Sequence, residues 1–195
     1  MLASKPKSVL VLPFSKQGVS VLSALLRRHL CSSVGLAHRL DYGTCGVLVA
    51  HKTKLAASSL LRQFWSRGVV KKYVCFNTAL ACTNLDVACA FSRFSTMRAS
   101  SHKFSLLDCK LVVGKRHQIR LMQRRVYGDR TYCASTHLFG MWACLGCALK
   151  HQCLRSYTVL VRHPSGLALL AVESGLGLQF RYVLINFLKL SAQRF

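Results

Sequence analysis

The sequence predicts an α/β (α+β) chain, and three observations carry that prediction. Short runs of β-branched and aromatic residues recur at Val47 to Val49, Val69 to Phe76 and Leu167 to Val172. Apolar residues repeat at helical spacing over Val19 to Leu30 and again between Thr53 and Ser66. The length of 195 residues suffices for one domain with a real core, or one compact domain split by a cleft, so a single domain over residues 1–195 is expected.

Charge narrows the choice of partner. Twenty-eight Lys and Arg against five acids give a formal net charge of +23, far more than solubility requires, which implies a polyanion: RNA, DNA or an acidic membrane. The basic residues are spread from Lys5 to Arg194, as on a charged face of a folded body rather than in a disordered arm. No run approaches 18 consecutive apolar residues, so no transmembrane helix and no membrane partner are expected. Ten scattered cysteines without a signal-peptide pattern point to reduced thiols inside a cell. Cytoplasm is the default location; mitochondrion or plastid stays open because the first 40 residues contain no acid but carry Lys, Arg and Ser.

Taken in order, Val19, Leu22, Leu25, Leu26 and Leu30 mark a first helix, with Arg27 and Arg28 near its C-terminus, where cations suit the helix dipole. The next stretch reads A-H-R-L-D-Y-G-T-C-G-V-L-V-A-H-K over residues 37–52. Asp41 precedes the turn signal Tyr42-Gly43-Thr44 and then the Val47 strand, so by itself it reads as an Asx-turn at a strand edge. Thr53 suits the N-cap of a second helix, in which Leu60, Leu61, Phe64 and Trp65 are expected to line the buried stripe and which Gly68 ends. Val69 to Phe76 reads as a strand, and its Tyr73 as core or edge packing. Residues 77–104 have no firm period and are read as loops with a weak strand. Pro164-Ser165-Gly166 is turn chemistry between β-rich runs.

Neither G-x-x-x-x-G-K-S/T nor G-x-G-x-x-G occurs, so no nucleotide cofactor is expected. Cys144, Cys147, His151 and Cys153 fall within ten residues, but their last spacings match no established zinc pattern, and no metal is expected.

His38-Arg39-Leu40-Asp41, followed by Thr44, Gly46 and Lys52, resembles the catalytic segment H-R-L-D-x-x-T-S-G-L-L-L-F-A-K of the RluA-type pseudouridine synthases, with Cys45 for the usual Ser and His51 for the usual Ala. Ser4 to Pro13 is similar to that family's early strand and turn, N-K-P-A-G-V-L-V-H-P. Lys71 and Tyr73 match its K-x-Y segment. Phe104 to Leu121 resembles Y-S-L-L-E-V-x-L-x-T-G-R-T-H-Q-I-R-V, with Gly114, His117, Gln118, Ile119 and Arg120 coinciding and Lys115 for the usual Arg. After Arg120 the chain departs from the pattern and reaches Asp129 about four residues early, yet Gly128, Asp129 and Tyr132 match the G-D-x-x-Y ending. Met141-Trp142-Ala143 and His163 to Val172 resemble the closing hairpin, so the resemblance covers most of residues 4–173.

The resemblance implies a central, mostly antiparallel mixed sheet with flanking helices and a catalytic cleft, and an RNA pseudouridine synthase acting as a monomer on structured RNA, ribosomal or transfer, without a cofactor or an appended RNA-binding module. It implies Asp41 as the catalytic acid, Tyr73 against the target base and Arg120 as the guanidinium beside Asp41, with Arg39, Lys71, Lys115, Arg116, His117 and Gln118 at the RNA. Uracil leaves its sugar more easily than a sugar alcohol does, so a single carboxylate can suffice where glycoside hydrolysis uses two. A chain with Asp41, Asp86, Asp108, Asp129 and Glu173 as its acids is suited to that economy. The alternative is an RNA-binding protein of the same descent that has lost catalysis.

Overall fold

The computed structural model describes residues 2–13, 19–30, 33–77, 92–99, 104–132, 151–166, 168–177, 180, 181 and 185. Along the chain its elements are β1 (Leu2–Lys5), α1 (Val21–His29), β2 (Gly35–Leu36), β3 (Cys45–His51), α2 (Lys54–Trp65), β4 (Val70–Asn77), β5 (Ser92–Ala99), β6 (Ser105–Leu111), α3 (Gln118–Gln123), β7 (Leu154–Arg162) and β8 (Leu169–Glu173). They fall into two compact units, one of Met1–Lys72 with Ser156–Ser174, the other of Tyr73–Arg155 with Gly175–Phe195. The α/β expectation holds, since three helices are interspersed among eight strands in the described residues and the pairings β1–β3, β2–β3, β5–β6 and β7–β8 are antiparallel.

In the first unit the strand order is β1-β3-β7, with β2 also on β3 and β8 also on β7. Residues 45–50 of β3 are buried, as expected of a short apolar run that is covered on both faces. Val47 and Val49 of β3 pack with Val159 and Val161 of β7, Ala37, Val69 and Leu60 of α2, and Phe64 closes that core. Helix α2 begins as its sequence indicates, with the Thr53 hydroxyl accepting from the Ala56 amide at 3.2 Å. Helix α1 starts with a reciprocal cap, in which the Ser23 amide donates to the Ser20 hydroxyl oxygen and the Ser20 amide to that of Ser23.

Two expected stripes need correction. Val19 and Leu30 lie outside α1 and are 72% and 92% exposed, because the helix stops at His29 and Leu30 turns left-handed with φ 46°. In α2, Leu60 and Phe64 face the core, whereas Leu61 and Trp65 are exposed. The two pairs are equivalent in sequence, each separated by four residues, and packing against β3 and β7 selects one.

Gly46 opens β3 with φ +117°, and a Cβ there would overlap the Ser156 carbonyl of β7. No side chain fits that approach and few L residues hold that φ. Gly46→Ala is therefore expected to destabilise the first unit by about 3 kcal/mol or more, combining overlap with backbone strain; a chemical-denaturation midpoint unchanged from the parent would refute this.

In the second unit the order is β4-β6-β5. Residues 77–104, read as loops with a weak strand, contain the full eight-residue β5, which pairs with β6 from Ser92↔Leu111 to Ala99↔Ser105 through a register shift at Thr96/Arg98. Phe76 stacks on Phe104 at 5.5 Å and meets Tyr127 edge-on at 5.6 Å. The closing hairpin forms as expected, β7 and β8 being joined through Pro164-Ser165-Gly166, with the His163 amide donating to the Ala168 carbonyl. Met141-Trp142-Ala143, Cys144 and Cys147 lie outside the described residues. Cys153 is buried, and the described residues contain no cluster able to hold a metal. No described helix is long and apolar enough to cross a membrane.

Candidate active site

Asp41 opens a β-turn whose backbone is closed by the Thr44 amide donating to the Asp41 carbonyl at 3.0 Å. This leaves the half-buried carboxylate at the edge of β3. The turn is held from beneath by Lys5, at the end of β1, whose side chain is 1% exposed. Its ammonium donates to the carbonyls of Pro6 at 2.9 Å, Tyr42 at 2.9 Å and Thr44 at 2.7 Å, so all three of its protons are engaged. The Ser8 amide adds a bond to the Tyr42 carbonyl. Two strands that pair antiparallel, Lys5 opposite Gly46, thus fix the turn carrying Asp41.

Burial lowers the Lys5 pKa to about 8, while the negative charges of Cys45 and Asp41 oppose the fall. A buried ammonium is therefore the cation that the first unit sets near Asp41. The folded pKa lies below the ordinary lysine value of 10.5, so between pH 8 and 10.5 the unfolded chain holds more protons. This group's contribution to stability is expected to rise with pH across that window. Lys5→Met should remove that rise; thermal melts at several pH values between 8 and 10.5 with identical slopes for parent and variant would refute it.

His38 lies on the other side of the H-R-L-D segment. Its Nε2 accepts from the Val49 amide at 3.1 Å and its ring stacks on Phe64 at 5.0 Å. Burial, with the nearby charge of Lys71, lowers its pKa to about 4, so it is a neutral strut across β3 rather than an acid at neutral pH. Lys71 reaches over the Phe64 ring at 5.9 Å and is itself lowered by burial, while Arg39 is exposed.

The second unit holds Tyr73 and the segment around Arg120. Tyr73 is buried in β4. Arg120 is buried in helix α3 and forms a fork with Asp129: Nε to Oδ2 at 2.6 Å and Nη2 to Oδ1 at 2.8 Å. The amides of Thr131 and Tyr132 also donate to Asp129 Oδ1, and the Arg120 guanidinium lies 4.8 Å from the centre of the Tyr132 ring. The Tyr132 hydroxyl in turn pairs with His117 Nδ1 at 2.8 Å. Burial alone would raise the Asp129 carboxyl, yet the Arg120 hydrogen bonds and charge, with the two amides, hold it below its ordinary range. Gly128, at φ +80° with its backbone against the His151 carbonyl, makes the corner that delivers Asp129.

The residues expected at the RNA divide by exposure. Lys115 and Arg116 are exposed, whereas Gln118 is buried and its side-chain oxygen accepts from the Lys115 amide at 2.7 Å, and His117 caps α3 at φ 53°. The first unit thus gathers Arg39, Asp41 and Lys71, and the second Tyr73, Arg120 and the 115–118 loop. Sequence reasoning gave no role to Lys5, His38, Asp129 or Tyr132. Their signal lay in the matched segments themselves, and for Asp129 in its being one of just five acids.

A family model described as RNA pseudouridylate synthase matches residues 1–124. Ribosomal large subunit pseudouridine synthase D of Xylella fastidiosa is 26% identical over 163 residues, which is 69% of this chain and 49% of that protein. An uncharacterized RNA pseudouridine synthase of Aquifex aeolicus is 32% identical over 124 residues, 50% of this chain and 39% of that protein. The chain thus spans about half the length, or less, of these curated relatives. Among solved structures, human RNA pseudouridylate synthase domain containing 4 aligns with a TM-score of 0.71 at 18% identity, covering 94% of this chain and 87% of the other. Human RNA pseudouridylate synthase domain containing 1 gives 0.68 at 16%, covering 89% and 78%. At these identities the likeness is one of fold.

Proposed function

This chain belongs to the RNA pseudouridylate synthase family, and from that premise we propose that it isomerises uridine to pseudouridine in structured RNA. The observation that carries the proposal is the turn bearing the half-buried Asp41, whose Tyr42 and Thr44 carbonyls accept from the Lys5 ammonium, within the segment that the family model matches.

The reaction breaks the C1′–N1 bond, turns the freed uracil and joins C5 to the same C1′, after which the C5 proton leaves. Asp41 has two routes, attack on C1′ or removal of the C2′ proton to give a glycal. Both require the ionised carboxylate. Tyr73 would lie against the base and take the C5 proton. By the same family resemblance Arg120 would direct Asp41. The exposed Arg39, Lys115 and Arg116 would contact phosphates, and the target uridine would leave its stack to reach the carboxylate.

Ribosomal RNA is the first substrate to try, because relatives from Xylella fastidiosa and Haemophilus influenzae are named for the large ribosomal subunit; transfer RNA is the second. The test is tritium release from RNA carrying 5-tritiated uridine. Release supports the isomerase. Tight, salt-sensitive binding with no release from either RNA would leave the alternative, an RNA-binding protein on a catalytic fold.

A further inference from the structure

We infer that the C-terminal end of α2 is a second RNA contact, a stacking platform on which Trp65 receives an unpaired base while Arg62 and Arg67 hold the flanking phosphates. Trp65 is 87% exposed, although it is the largest apolar side chain in the helix. Leu61, one turn earlier on the same face, is also exposed. In a monomeric soluble protein an aromatic of that size gains by being covered, and here packing turns Phe64 inward and leaves Trp65 outside.

The surroundings specify the occupant. Arg62 precedes Trp65 by three residues, so it lies beside it on the helix surface, and Arg67 follows in the turn; both are exposed. No acid occurs from Lys54 to Gly68. The Gln63 side-chain amide donates to the Arg162 carbonyl at 3.0 Å and accepts from the Arg162 amide at 2.8 Å, so it ties the helix to the end of β7 as a strand would. The helix end is closed by the Ser66 amide donating to the Arg62 carbonyl and the Gly68 amide to that of Gln63. The backbone that carries Trp65 is therefore held by these bonds before anything binds. An exposed π-face flanked by two arginines on a chain of charge +23 fits single-stranded RNA, in which bases stack and phosphates pair with arginine.

The inference rests on RNA as the partner and not on catalysis. Its test uses the full chain with Trp142→Phe, which leaves Trp65 as the sole tryptophan fluorophore, titrated with an oligouridylate of roughly twelve nucleotides. Quenching of Trp65 emission that saturates with binding measured by anisotropy is expected. Trp65→Ala should weaken binding about tenfold or more, with Trp65→Phe retaining most of it. Joint replacement of Arg62 and Arg67 by Gln should flatten the salt dependence. Unchanged Trp65 emission at saturating oligonucleotide, or equal affinity for Trp65→Ala, would overturn the platform. So would quenching produced by anionic vesicles or by self-association and not by oligouridylate. Release of tritium by the parent without quenching sinks this inference and spares the isomerase; quenching without release does the reverse.

Discussion

Asp41→Asn is expected to lower tritium release on the order of 1,000-fold while leaving the fold intact. The chemistry needs a charged oxygen, whether it attacks C1′ or takes the C2′ proton, and a carboxamide supplies neither nucleophile nor base. Structurally the exchange is mild. Asn is as good a turn former as Asp, the turn is closed by backbone atoms, and the side chain is half exposed, so stability should change by about 0.5 kcal/mol or less. The Lys5 ammonium loses a neighbouring negative charge in this variant, so its pKa should fall further below the parent's value of about 8. Release at the parent's rate would remove Asp41 from the mechanism. A large loss of melting temperature would mean that the carboxylate is structural after all.

Asp129→Asn should have the opposite profile, with a large loss of stability. Asp129 is 1% exposed and its carboxylate balances the buried Arg120 through two hydrogen bonds. An amide in its place leaves a buried guanidinium without its counter-charge, which costs about 3–5 kcal/mol. For a chain of this length that is roughly a 6–20 °C fall in Tm. Two further measurements separate the pair from a general packing defect. Replacing both partners by apolar residues, Arg120→Met with Asp129→Leu, should recover most of the loss, because it removes both charges instead of stranding one.

The acid limb of the stability curve should change as well. The folded pKa of Asp129 lies below the ordinary carboxyl value of 3.8, so its contribution is fully present above that value. The contribution is lost as pH falls through the folded pKa. The parent should therefore lose stability below about pH 4 through a term that Asp129→Asn lacks. Identical acid limbs in the two proteins would sink this reading.

Much of the first unit is legible in the sequence because its signals are local. Thr53 caps α2, Pro164-Ser165-Gly166 turns β7 into β8, and the apolar run after Asp41 can only be a buried strand. The second unit is less so. Residues 77–104 show no period, yet β5 forms along β6, since a strand is stabilised by its partner as much as by its own residues.

The sequence by itself determined the α/β class, the boundaries of α2 and β4 to within a residue or two, and the family whose segments recur around Asp41, Tyr73 and Arg120. It could not choose between Leu60 with Phe64 and Leu61 with Trp65 as the inward pair, because both have the same spacing and only the surface they meet distinguishes them. Nor could it connect Lys5 to the carbonyls of Tyr42 and Thr44, or Arg120 to Asp129. Those contacts join charges to groups 9 to 39 residues away, and the partner of a buried charge is set by where the backbone carries it, which is a property of the folded chain alone.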